Sequence, residues 1–248
     1  MNTKDQIKKL GISGSLVIFV GAGILMHLQT KFVIPWLSRV TGMEIIIFWF
    51  VIGGLGIFLP LILLGMFLLK REGVWGEPGL WRERLRFRRM GRDEWVWSVV
   101  GVVAVSLLSG LVLKGMVLLV GQFDHSPPFM AFEPLEKGRY WLLLVWLPYW
   151  ILNIFGEEFL WRGVMLPRQE AALGKYAWLF HGSGWGLFHI AFGWQLLVTL
   201  LPLIFIQSFV VHQTRTSCPG SLPGRPPNAR LIIGIRFLSI QILVPPPL

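Results

Sequence analysis

Two short stretches hold the residue types that can activate water. The first, GEEFLWRG at 156–163, places Glu157, Glu158 and Arg162 within six positions. The second, HGSGWGLFHIAFGW at 181–194, carries Trp185 and His189 four apart on one helical face, with His181 one turn earlier. Glu158 and Arg162 are also four apart, so on a helix they share a face and can pair. Glu157 is rotated from them by about 100° and has no partner of its own in the local sequence. A glutamate free of a local partner and a histidine can hold a water and take its proton, with the carboxylate as general base. The same two groups could instead bind a metal or relay protons.

Both stretches lie in runs fit for lipid. Upstream of the glutamates is YWLLLVWLPYWILNIF, and Val164, Met165 and Leu166 follow the arginine. A charge at the centre of a membrane helix costs about 2.5–3.5 kcal/mol, so three unpaired charges would cost roughly 8–10 kcal/mol. That sum is comparable to the whole stability of many proteins. Pairing offsets that cost; the alternative is two glutamates snorkelling near an interface. Glu157 is 17 residues beyond Tyr140, about 26 Å along a helix axis, which puts it toward the cytoplasmic end of the core. The glycines Gly182, Gly184 and Gly186 would weaken a soluble helix but let membrane helices approach closely.

The elements that must position these residues are read from the apolar pattern. Of 248 residues, 54% are apolar and 15% charged, well below the roughly 25% charged of soluble proteins. Glu44 to Leu69 has no charge after its first residue and exceeds the roughly 20 residues that cross a hydrocarbon core. The expectation is an all-α, polytopic membrane helix bundle with about six transmembrane helices, at 12–36, 45–69, 95–120, 140–166, 176–192 and 194–213. The first is expected to stay as an uncleaved helix, being longer than a signal-peptide core.

The net charge of +10 does not point to nucleic acid. Eight basic residues, Lys70, Arg71, Arg82, Arg84, Arg86, Arg88, Arg89 and Arg92, fall in one stretch between two apolar spans. Cytoplasmic loops accumulate Lys and Arg, and with Lys4, Lys8 and Lys9 this loop sets the N-terminus in the cytoplasm. Alternation then leaves 121–139 external and brings Arg162, Arg168 and Lys175 back to the cytoplasmic side. The mixture LWRERLRFRRMGRDEWVW suits a short helix in the headgroup layer, its arginines toward anionic lipid. Cys218 is the sole cysteine, so no intrachain disulfide forms.

The two stretches resemble the type II CAAX prenyl protease family, which includes bacteriocin-processing and lysostaphin-resistance-like members. Its motif E-E-x-x-x-R is matched by Glu157, Glu158 and Arg162, followed by Gly163. Its motif aromatic-x-x-x-His is matched by Trp185 and His189. The resemblance covers about residues 95–213 and implies a helical intramembrane endopeptidase. It implies Glu157 as general base with His189 helping to activate water, and Glu158 and Arg162 as a structural pair, with Trp185 supporting. It also implies a peptide or protein substrate and a multi-pass protein among membrane lipids, expected in a bacterial plasma membrane. The sequence has no HExxH pattern, so no metal is expected; a divalent ion such as zinc is the alternative.

One departure stands out. A third family motif, His-x-x-x-Asn or -Asp on a later helix, is expected to stabilise an oxyanion. No histidine follows His212, and Arg215 and Thr216 follow it where the motif would need other residues. The composition also changes near residue 214, and Leu231 to Val244 is a 14-residue apolar run broken by Arg236, short for a span. The chain divides accordingly into N-terminal helices and basic loop (1–94), a protease-like unit (95–213) and an atypical tail (214–248). A frameshift near residue 214 would account for the tail, and a genuinely divergent tail is the alternative. The alternative function is a catalytically impaired pseudoprotease or membrane scaffold; a transporter is disfavoured because no inverted halves or broken-helix pairs are visible.

Overall fold

The computed structural model describes residues 7–74, 80–81, 84–86, 90–131, 133 and 135–214. The tail beyond 214, with Cys218, and Lys4, Arg82, Arg88 and Arg89 of the basic segments lie outside the described residues. Among the described residues there is no strand. The chain forms an all-α bundle with five helical runs long and apolar enough to cross a membrane. We label α1 (Ile12–Thr41), α2 (Ile45–Arg71), α3 (Arg92–Val120), α4 (Leu142–Glu157), α5 (Leu166–Leu173), α6 (Ala177–Phe188) and α7 (Trp194–Thr214).

The run from Leu142 to Phe192 has 51 residues, more than twice the roughly 20 that one crossing needs. It doubles back around Gly174, whose φ is +57°. Gln169 meets His181 at 2.7 Å and the rings of Trp161 and Phe188 lie 5.3 Å apart. The two arms are therefore antiparallel, and they coincide with the two spans predicted at 140–166 and 176–192. The first run continues to Thr41, beyond the boundary expected at 36.

The bundle is apolar outside and polar within. Val17, Leu107, Leu118 and Leu144 are exposed, whereas Glu157, Arg162, Gln169, His181 and Ser208 are buried. Lipid tails satisfy the outer side chains, and close packing with internal polar pairs holds the helices together. α6 is central, packed between α1 and α7. A Cβ at Gly184 would lie 2.2 Å from the ring of Phe19. Phe19 is fully buried and stacks on Trp161, so it has no room to yield, and only glycine permits this approach of α1.

Among the described residues three segments are wound as π-helix: Gln29–Val33, Trp49–Phe58 and Glu158–Met165. Each is followed two residues later by a proline, at Pro35, Pro60 and Pro167. A proline inside a helix lacks the N–H that the carbonyl four residues back would accept, and its ring pushes that carbonyl aside. Widening the preceding turn relieves the clash. Pro148 and Pro202 sit inside α4 and α7 without such a turn, so proline alone is not sufficient.

The basic linker between α2 and α3 departs from the headgroup-layer picture. Arg84 and Leu85 are buried, with Arg84 turned inward onto Glu72 rather than toward lipid. A buried carboxylate of zero side-chain exposure draws the guanidinium in.

Candidate active site

The glutamate motif straddles a change of helical pitch. Glu157 is the last residue of α4, and the π-helical segment begins at Glu158. Gly156 fixes the height of this junction, because a Cβ there would lie 2.9 Å from the carbonyl oxygen of Phe58 on α2. Arg162 is fully buried, and its Nη1 lies 3.3 Å from Oε1 of Glu158. The pair predicted from the four-residue spacing is formed.

A residue from α7 joins that pair. Gln207, buried, donates from Nε2 to Oε1 of Glu158 at 3.1 Å. The sequence analysis passed over it. The available signal was an uncharged amide in the interior of a membrane helix, a residue type that there faces the bundle rather than lipid.

Glu157 is not without a partner. Trp185 on α6 donates its indole Nε1–H to Oε2 of Glu157 at 2.9 Å. The correction has a simple cause: the partner lies 28 residues away, on the returning arm, where local spacing cannot reveal it. The same indole takes the cation of Arg162 on its face, with Cζ 3.6 Å from a ring centroid. A desolvated cation over an indole is attracted by the ring quadrupole. Trp185 therefore touches both halves of the motif.

His189 opens the 3₁₀ turn that ends α6. Its Nδ1 lies 2.9 Å from the carbonyl oxygen of Trp185. A carbonyl only accepts, so Nδ1 carries the hydrogen and, in the neutral ring, Nε2 presents a lone pair. Nε2 lies 4.0 Å from Oε2 of Glu157. That gap is too long for a direct hydrogen bond and within reach of one water bonded to both groups. Phe188, Phe192 and Trp185 stand edge-on to the imidazole at 5.0–5.2 Å. Trp49, Phe129 and Phe192 extend the aromatic wall toward α2 and the loop at 121–139.

The other histidines are held elsewhere. His181 is fully buried and its Nδ1 bonds Gln169, whose Nε2 donates to Ser15 of α1 at 3.0 Å. It ties α1, α5 and α6 together and is not brought beside Glu157. His212 pairs with Glu170 at 2.8 Å. Among the described residues no group of three or more His, Cys, Asp or Glu side chains converges as metal ligands.

A buried glutamate and a histidine with an oriented lone pair, 4.0 Å apart, form an arrangement able to hold a water between them. Residues 139–222 match the model of the family described as type II CAAX prenyl endopeptidase Rce1-like. The resemblance carried by the two motifs is thus a family match over about a third of the chain. The Rce1-like stretch contains Glu157, Glu158, Arg162, Trp185, His189 and Gln207, and begins after α3. Residues 139–222 are thus similar to a CAAX-protease-like family, and the long apolar helices mark an integral membrane protein. No curated protein and no solved structure matches the chain.

Proposed function

We propose that the chain is an intramembrane endopeptidase that hydrolyses a peptide bond with a water activated by Glu157 and His189. The observation that supports this reading is the 4.0 Å gap between His189 Nε2 and Glu157 Oε2, with the Trp185 indole donating to the glutamate and the Trp185 carbonyl accepting from the histidine. The water gives one hydrogen bond to Nε2 and one to the carboxylate. As its oxygen attacks the substrate carbonyl carbon, Glu157 takes the proton. The carbonyl oxygen becomes the oxyanion of a tetrahedral intermediate. Glu157 then returns the proton to the leaving nitrogen, the C–N bond breaks, and a carboxylic acid and an amine depart.

Trp185 aims the carboxylate through Nε1–H and shields the cation of Arg162. Glu158, Arg162 and Gln207 form a buried scaffold that keeps the π-helical turn in place. Glu157 and His189 supply two donors, whereas a catalytic zinc takes three protein ligands; the donor set does not fit that ion, and no step is routed through it. The substrate is a peptide or protein reaching the site from the bilayer. The N-terminus faces the cytoplasm of a bacterial plasma membrane.

A second reading, a non-catalytic scaffold, is favoured by one observation. α7 carries no His-x-x-x-Asn or -Asp, and its buried amide, Gln207, is engaged with Glu158. Purified protein tested against a library of internally quenched peptides separates the two. Cleavage lost in Glu157→Gln supports the endopeptidase; peptide binding without cleavage in the unsubstituted chain supports the scaffold.

A further inference from the structure

We propose that Arg84, in the linker between α2 and α3, is a positioning residue that holds the π-helical turn of the site by capping the carbonyls of Gly163 and Val164. It lies outside the family-matched stretch, and the functional part of the inference rests on the endopeptidase reading.

The need for a cap is written in the covalent structure. In an α-helix the carbonyl of Gly163 would accept from the N–H of residue 167, but that residue is Pro167, which has none. Gly163 and Val164 are buried, and a buried carbonyl left without a partner carries the full cost of its lost hydration. Arg84 supplies the donors: Nη1 to Gly163 O at 3.2 Å and Nη2 to Val164 O at 3.3 Å. These carbonyls immediately follow Arg162, so holding them outward fixes the turn from which Glu158 and Arg162 project.

Arg84 is itself held. Its Nε donates to Glu72 Oε2 at 2.7 Å and its Nη2 to Oε1 at 3.2 Å, the two-pronged geometry a guanidinium makes with a carboxylate. Arg168 of α5 donates to the same Oε1 at 2.7 Å and to the carbonyl of Leu68 at 2.9 Å. One carboxylate thus joins α2, the linker and the helix that follows the π turn. Burial holds the Arg84 guanidinium below its ordinary value, and the neighbouring Glu72 offsets only part of that. The linker is also packed on the turn: a Cβ at Gly163 would meet Leu85 at 3.1 Å, and Trp81 stacks on Phe159 at 6.0 Å.

The test is hydrogen–deuterium exchange by mass spectrometry on the full chain in detergent micelles, comparing peptides over 158–170 with peptides over 194–214. Arg84→Gln is expected to speed exchange in 158–170 at least tenfold while 194–214 is unchanged. Arg84→Lys, which keeps the charge and loses the fork, is expected to give a smaller rise and serves if the glutamine variant does not fold. Pro167→Ala restores an N–H for Gly163, so in that background Arg84→Gln is expected to add no more than about twofold. A general packing role would instead give the same increase in both backgrounds, and that result, or unchanged exchange in 158–170, overturns the proposal. On a quenched peptide cut by the unsubstituted chain, Arg84→Gln is expected to lower kcat at least tenfold with KM unchanged. If the unsubstituted chain cuts no peptide, the endopeptidase reading fails while the exchange comparison still decides the role of Arg84 as a cap.

Discussion

The indole of Trp185 donates to Glu157 at 2.9 Å through its edge and receives the guanidinium of Arg162 at 3.6 Å on its face. One side chain on the returning arm therefore contacts both the proposed base and the cation of its motif.

Trp185→Phe keeps an aromatic face for Arg162 and removes the donor to Glu157. A hydrogen bond to a charged group contributes about 1.5–3 kcal/mol. The expected loss in kcat is roughly 10–100-fold, with thermal stability in detergent changed little. Steady-state kinetics on a cleaved quenched peptide measure it. An unchanged kcat would remove Trp185 from the account.

Breaking the Glu158–Arg162 pair is expected to act on folding. Removing one partner of a buried ion pair costs about 3–5 kcal/mol, whereas replacing both by apolar residues of similar volume costs far less. Arg162→Met should therefore lower the melting temperature sharply, and the double variant with Glu158→Leu should recover most of it. Differential scanning fluorimetry on both proteins reads the difference; equal losses would count against the pair.

Gly156 sets the approach of α4 to α2, with the Phe58 carbonyl 2.9 Å from where a Cβ would stand. Backbone cannot rotate away as a side chain does. Gly156→Val is expected to destabilise the fold by about 1–3 kcal/mol and to displace Glu157, so activity should fall even where folded protein is recovered. A variant with native melting temperature and native turnover would refute the close contact.

The apolar pattern of the chain was enough to read an all-α membrane bundle, because runs of 20 or more residues without charge have few other uses in a protein. Local spacing was likewise enough for the Glu158–Arg162 pair. What escaped were relationships across the bundle. Trp185 to Glu157 spans 28 residues, Gln207 to Glu158 spans 49, and Arg84 to Gly163 spans 79. Helical periodicity says which face a residue occupies but not which neighbour that face meets. The basic linker misled for the same reason: Arg84 belongs by composition to a cytoplasmic charge run, and only the buried Glu72 shows why it turns inward. The three prolines that trail π-helical segments were visible, but Pro148 and Pro202 show that the residue alone does not predict the wider turn.

The tail beyond residue 214 bears on whether this chain is active. We predict that the nucleotide sequence across codons 205–248, translated in all three frames, encodes in another frame an apolar helix with His-x-x-x-Asn. Such a frame would make the chain as written a product lacking its third motif. If no frame restores the motif, the divergent tail is genuine and the scaffold reading gains.

The most direct test of the central claim is turnover by Glu157→Gln. The substitution keeps size and leaves an oxygen for the Trp185 donor, but removes the base. Purified in parallel with the unsubstituted protein, at matched melting temperature, it should cut no quenched peptide that the unsubstituted protein cuts, with kcat reduced at least about a hundredfold, as expected for a general base. Retained cleavage in the glutamine variant would contradict the account.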